Sequence, residues 1–192
     1  MTSIGIFGGT FDPIHIGHLI TAQAVREKRN LDKIIFIPTL ISPHKTEIPT
    51  ISHIHRLEMI KLSIKDIPYF DFSDIEIRNQ AISYTIDTLS SLKNKFENIE
   101  LIIGFDNIIK FSTWKKPDEI IKLSKLIVLR RKLSELPASE DKYYKSAIFV
   151  DTPTIEISSS EVRERIKNNL PIKFLVPRKV EKYIYKHNLY KE

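Results

Sequence analysis

The 192-residue chain has no cysteine, which removes disulfides, thiolate metal sites and a cysteine nucleophile together. It has no apolar run near the roughly 18 residues that a membrane helix needs. Its first residues carry no basic stretch leading into an apolar one, since Asp12 and Pro13 interrupt. The expectation is a cytoplasmic protein that meets no membrane. Paired carboxylates at acid–base spacing and a Ser-His-Asp order are also missing, so covalent or general-base hydrolysis has no obvious carrier. Glycine occurs five times: Gly5, Gly8, Gly9 and Gly17 crowd the start, and Gly104 stands alone. Glycine so scarce and so clustered marks backbone that something approaches closely.

What is present suffices for one domain over residues 1–192, with 42% hydrophobic residues to build a core. The net charge of +6 raises a nucleic-acid reading. Part of the excess sits in residues 163–192, nine Lys/Arg against three Glu, among apolar residues at helical intervals such as Val180, Ile184 and Leu189. A solvated helix face accounts for that, and a small anionic substrate would equally favour a basic protein. No aromatic-interleaved RNA-binding motif accompanies the charge, so nucleic acid is not the expected partner.

Short β-branched runs alternate with longer amphipathic stretches, the pattern of βαβ units and a parallel sheet. Residues 4–7, 33–37, 70–77, 100–103, 126–129 and 147–150 read as strands. Residues 16–29, 53–65, 84–96, 118–124, 159–168 and 178–187 carry helical spacing, with Pro117 and Pro177 placed for a first helical turn. The fold expected is a doubly wound, Rossmann-like α/β domain with a small C-terminal helical part. Residues 39–52, with His44 and Lys45, read as a functional or mobile loop. Residues 130–146 read as a plain exposed connection.

Gly8, Gly9, Thr10 and Phe11 end the first strand and precede a helix, where backbone amides and the helix N-terminus face an anion. The spacing is neither GxGxxG nor a Walker loop. His15 and His18 follow, three apart around Gly17, so one helix face can offer two imidazoles to phosphate oxygens. A metal pair and ordinary capping histidines are the competing readings. Near the other end, Ser158, Ser159 and Ser160 open a helix, as an N-cap or as a second anion site with Arg163 one turn in. Gly104 ends a strand, and Asp106 just beyond it is placed to accept from ribose hydroxyls. Trp114, the only tryptophan, reads either as a packing residue or as a stacking platform.

The stretch GTFDPIHIGH resembles the signature of the HxGH nucleotidyltransferases, and with its leading glycine it is similar to the bacterial nicotinate mononucleotide adenylyltransferases. The resemblance runs along nearly the whole chain. SPHK at 42–45 is similar to a PPHK-like loop, with serine for the first proline. EIRNQAISYTIDTL at 76–89 resembles a segment whose SYT amides hold a nicotinate carboxylate, with Gln80 and Ala81 in place of a glycine pair. GFD followed by Trp114 resembles a nucleotide-flanking segment, and ISSSEVR is similar to ISST-x-IR with Ser160 for threonine and Val162 for isoleucine. R-K-L replaces R-P-G at Arg131, and adjacent Arg130 is the alternative there.

The resemblance implies adenylyl transfer from ATP to nicotinate mononucleotide, giving nicotinate adenine dinucleotide and pyrophosphate, with Mg²⁺ carried by the phosphates and no protein metal site. It assigns His15, His18, Lys45 and Arg163 to catalysis. Gly8, Gly9, Thr10, Phe11, Gly104, Asp106, Ser159 and Ser160 would bind ATP, and His44, Thr85, Trp114 and Arg131 the mononucleotide. The attacking phosphate is already ionised, so alignment and charge stabilisation suffice without a base. Preference for nicotinamide mononucleotide, another phosphorylated acceptor such as phosphopantetheine or glycerol phosphate, and a basic nucleic-acid-binding protein are the alternatives. Homo-oligomerisation is left open.

Overall fold

The computed structural model describes residues 2–41, 50–131 and 140–191, with backbone alone at Arg131. Six parallel strands, β1 (Ser3–Gly9), β2 (Lys33–Pro38), β3 (Phe70–Phe72), β4 (Asn98–Gly104), β5 (Lys125–Arg131) and β6 (Ile148–Thr152), form one sheet in the order β3-β2-β1-β4-β5-β6. The strand order reverses between β1 and β4, which opens a crevice at their carboxyl ends.

Alternation along each strand sends side chains to two cores. In β2, Ile34 and Phe36 join one and Ile35 and Ile37 the other. The first core is covered by helices α1 (Ile16–Arg29), α2 (His53–Ile64), α8 (Ser159–Lys167) and α9 (Arg178–Lys186). The second lies under α4 (Thr85–Lys93), α5 (Phe105–Ile109), α6 (Pro117–Leu123) and α7 (Lys142–Ser146). A doubly wound α/β fold is thus what the chain forms, and α8 and α9 are its C-terminal helical part.

Gly5 sits mid-strand in β1 because no side chain fits there. A Cβ would stand 2.6 Å from Ile34 Cδ1 and 2.9 Å from those of both Ile102 and Leu31. None of the five glycines has a positive φ, so they supply space and not unusual backbone. The left-handed conformation in the GGTF turn falls instead to Phe11, at φ 51°. Its buried ring packs among Phe7, Phe36 and His18, contacts that offset the cost of that conformation.

Three sequence expectations fail in detail. The strand expected over 70–77 stops at Phe72, and α3 (Ile75–Arg78) follows, because Glu76 turns inward to bond with Thr88 of α4. The exposed connection expected over 130–146 contains α7, where the Asp141 carboxylate accepts from the amides of Tyr143 and Tyr144 and both tyrosines are buried. Pro117 takes the first position of α6 as expected, but Pro177 is the cap of α9, one position earlier than a first-turn proline.

Candidate active site

A cavity of about 610 Å³ opens at the reversal point, between the carboxyl ends of β1 and β4. Gly8, Gly9, Thr10 and His18 line one side, Thr85 and Trp114 the other, and Gly104 the floor between them. A Cβ on Gly8 would meet nothing within 4 Å, so its missing side chain leaves room on the cavity side. Phe11, His15, Asp106, Ser159, Ser160 and Arg163 are not among the residues that line it. His44 and Lys45 lie outside the described residues, as does the side chain of Arg131. Arg130, its neighbour, pairs with Asp151 at 3.5 Å.

The two histidines form one unit. His15 caps α1, and its ring stacks on His18 with centroids 3.7 Å apart and planes 29° apart. The His15 amide donates to His18 Nδ1 at 3.2 Å, and the His18 amide donates to the His15 carbonyl at 3.0 Å. An Nδ1 that accepts leaves the neutral ring's proton on Nε2, so His18 is set up to donate. Burial lowers His15 to about 4, and burial with the adjacent His15 holds His18 well below its usual value. Both rings are therefore neutral near pH 7.

The loop from β1 to α1 is held from outside itself. Arg56 of α2, 1% exposed, donates to the Thr10 carbonyl at 2.7 Å and to that of Ile51 at 3.3 Å. Arg163 donates to the Asp12 carbonyl at 2.7 Å and to Ser160 Oγ at 3.2 Å, and Ser159 Oγ donates to the Pro13 carbonyl at 2.9 Å. Ser158 caps α8, accepting from the Glu161 amide. The serine run is therefore an N-cap and a loop support at once. Asp12, 3% exposed, accepts from Tyr190 Oη at 2.7 Å. Burial raises its carboxyl above the usual range, while the Tyr190 bond, Arg163, Arg56 and the Ile51 amide oppose the rise.

The opposite wall is built around Ser83 to Thr85. The Ser83 amide donates to the Ile41 carbonyl at 3.0 Å, and Ser83 Oγ accepts from the Leu40 amide at 3.0 Å. Glu76, buried on the cavity wall, accepts from Thr88 at 2.8 Å; burial raises it, and the Thr88 and Ser83 hydroxyls oppose the rise. Tyr84 caps α4, so the amides that follow precede the helix's own bonding ladder. Trp114 leans on Phe111 at 5.0 Å, and Lys115 sits 4.2 Å above the Tyr84 ring while pairing with Asp87 at 3.1 Å. Gln80, standing where the resemblance has a glycine, takes φ 49° at the end of α3, so a glycine-like turn is kept without glycine.

Sequence reasoning missed several of these groups. Glu76 was hidden inside a supposed strand. Asn107 lines the cavity, and its neighbour Asp106 on the short α5 is not in that lining. Arg56 and Tyr190 had no sequence signal, lying 44 and 178 residues from Asp12. Among the described residues, no three His, Asp or Glu stand together as a metal-holding group.

A parallel sheet with a glycine turn and paired histidines at its reversal point defines a nucleotide-handling α/β protein, and residues 6–165 match the cytidylyltransferase-like family. The chain belongs to that family, within its nicotinate-nucleotide adenylyltransferase branch. It is 41% identical over 192 residues to the nicotinate-nucleotide adenylyltransferase of Bacillus subtilis, covering 99% of each chain. It is also 41% identical over 198 residues to a Caldicellulosiruptor saccharolyticus protein named "Probable nicotinate-nucleotide adenylyltransferase", covering 98% of this chain and 99% of that one. Plasmodium falciparum nicotinic acid mononucleotide adenylyltransferase complexed with NaAD shares the fold, with a TM-score of 0.80 at 20% identity over 99% of this chain and 98% of that one.

Proposed function

We propose that the protein transfers the adenylyl group of ATP to nicotinate mononucleotide. A phosphate oxygen of the mononucleotide attacks the α-phosphorus; that P–O bond forms, the bond to the bridging α–β oxygen breaks, and pyrophosphate leaves. The observation that carries this reading is the two-walled cavity. Neutral histidine donors and the glycine turn stand on one side, and a helix start with a tryptophan on the other, so a triphosphate and a mononucleotide can meet over the strand ends.

His18 donates Nε2–H toward phosphate as negative charge shifts to the leaving group, and His15 holds that ring in place. Lys45 and Arg163 are the cations assigned to the departing pyrophosphate, with Ser159 and Ser160 beside them. Gly8, Gly9, Thr10, Phe11, Gly104 and Asp106 are assigned to ATP, and His44, Thr85, Trp114 and Arg131 to the mononucleotide. Mg²⁺ arrives on ATP, held by phosphate oxygens and water. That fits a site whose polar groups, imidazole and backbone amides, suit phosphate oxygens better than a bare cation. The cytoplasm, where both substrates are available, is the proposed location; nucleic acid and membranes are not proposed partners. Among the described residues no helix is long and apolar enough to cross a membrane.

The test is pyrophosphate release from Mg²⁺ and ATP, with nicotinate and nicotinamide mononucleotides run side by side at equal concentration. Turnover favouring the acid is expected. Turnover favouring the amide would keep the chemistry and overturn the substrate, and silence with both would overturn the reading.

A further inference from the structure

Residues 10–15 carry the glycine turn into the histidine pair, yet their backbone acceptors are taken by side chains from far along the chain. The Thr10, Asp12 and Pro13 carbonyls accept from Arg56, Arg163 and Ser159. The remaining anchor is the Asp12 carboxylate itself, buried and bonded to Tyr190. Tyr190 lies in the segment after α9, which reverses sharply. Asn188 has φ 51°, the Leu189 amide bonds back to the Ile184 carbonyl at 3.1 Å, and Leu189 is buried. Tyr190 itself holds φ 63°, a conformation a bulky aromatic residue adopts only when its surroundings fix it. Its ring packs against the first core and its hydroxyl reaches Asp12, and together these hold it.

We infer that Tyr190 is a positioning residue: its hydroxyl bond to Asp12 latches the segment after α9 onto residues 10–15 and sets the angle at which that loop presents its backbone and His15 to the triphosphate. Tyr190 does not line the cavity, and its effect passes through Asp12. The bond joins the last part of the described chain to the first βα turn, so packing of α9 and alignment of the phosphate loop are coupled. The inference rests on the adenylyl-transfer reading for its kinetic consequence but not for its structural one.

The experiment compares the full chain with Tyr190→Phe, which removes one hydroxyl, and with Leu189→Ala, which loosens the same segment and leaves the Asp12 bond. Hydrogen exchange of the amides in 10–18, thermal melting, and kcat and KM for each substrate are measured on all three. Tyr190→Phe is expected to speed exchange in 10–18 by about tenfold or more. It should also lower kcat about tenfold, leaving KM for nicotinate mononucleotide within about twofold, because that substrate sits on the opposite wall. Leu189→Ala should lower the melting temperature comparably and retain wild-type kcat. Unchanged exchange in 10–18, or equal kcat loss in both variants at equal melting temperature, would overturn the latch. Absence of turnover in the wild type would overturn the reaction instead, leaving exchange to decide the latch. If Tyr190→Phe does not fold, Asp12→Asn, a weaker acceptor for the same hydroxyl, must show the faster exchange or the inference fails.

Discussion

Burial keeps His15 neutral down to about pH 4, and burial beside His15 keeps His18 neutral well below its usual value. The His15 amide also fixes the tautomer of His18, so the ring's proton is on Nε2, free to donate. Removing such a preorganised donor costs transition-state stabilisation more than ground-state binding. His18→Ala is expected to lower kcat by about 100-fold or more while ATP affinity, titrated directly, changes by less than about threefold. Equal losses would mean the ring only binds. The same depressed values act on stability. The unfolded chain takes up protons on these rings near pH 6.5 and the folded chain does not, so stability is full above about 6.5 and falls as pH drops toward 4. Urea melts between pH 7.5 and 4.5 should show this slope, and replacing both histidines with glutamine should flatten it.

At the scale of elements, the short α3 helps to shape the cavity wall around Ser83 to Thr85. It turns Glu76 inward to Thr88, which joins α3 to α4, and it ends in Gln80 with φ 49°. Glycine at that exposed position carries no Cβ penalty, so Gln80→Gly should stabilise by about 0.5–1 kcal/mol, a gain limited by the added freedom of the unfolded chain. Chemical denaturation checks it, and a loss of stability would show that the Gln80 side chain contributes contacts of its own. β1 poses the opposite case. Gly5→Ala forces a methyl group among Ile34, Ile102 and Leu31 and should destabilise by about 1–3 kcal/mol, since these buried tips have little room to retreat.

For the molecule as a whole, reversal of strand order between β1 and β4 places the glycine turn of β1 and the start of α4 around one cavity. Trp114 lines the cavity together with Tyr84, Thr85 and Lys115, its ring against Phe111. Trp114→Ala should therefore raise KM for the mononucleotide by about 5- to 30-fold and leave KM for ATP nearly unchanged, as steady-state kinetics with each substrate varied in turn would show. A matching rise for ATP would mean that the two halves are not separable. The loop supports cross the molecule in the same way: Arg56, Arg163, Ser159 and Tyr190 bring α2, α8 and the segment after α9 onto a single six-residue turn.

Hydrophobic periodicity determined most of the elements from sequence alone, because side-chain burial repeats every two residues in a strand and about every 3.6 in a helix. The motif GGTFDPIHIGH marked one wall of the cavity by its own local chemistry, and the SYT segment marked the other only through its resemblance to a known family. Periodicity failed where an element was too short to repeat, as at α3 and α7. What only the tertiary structure decided is which distant groups meet. That Ser159 and Arg163 bond to the loop between β1 and α1, that buried Arg56 bonds to the same loop and that Tyr190 reaches Asp12 depend on crossings of 46 to 178 residues. No local pattern encodes such a crossing, because the buried acceptors it satisfies exist only once the sheet and both helical layers are assembled.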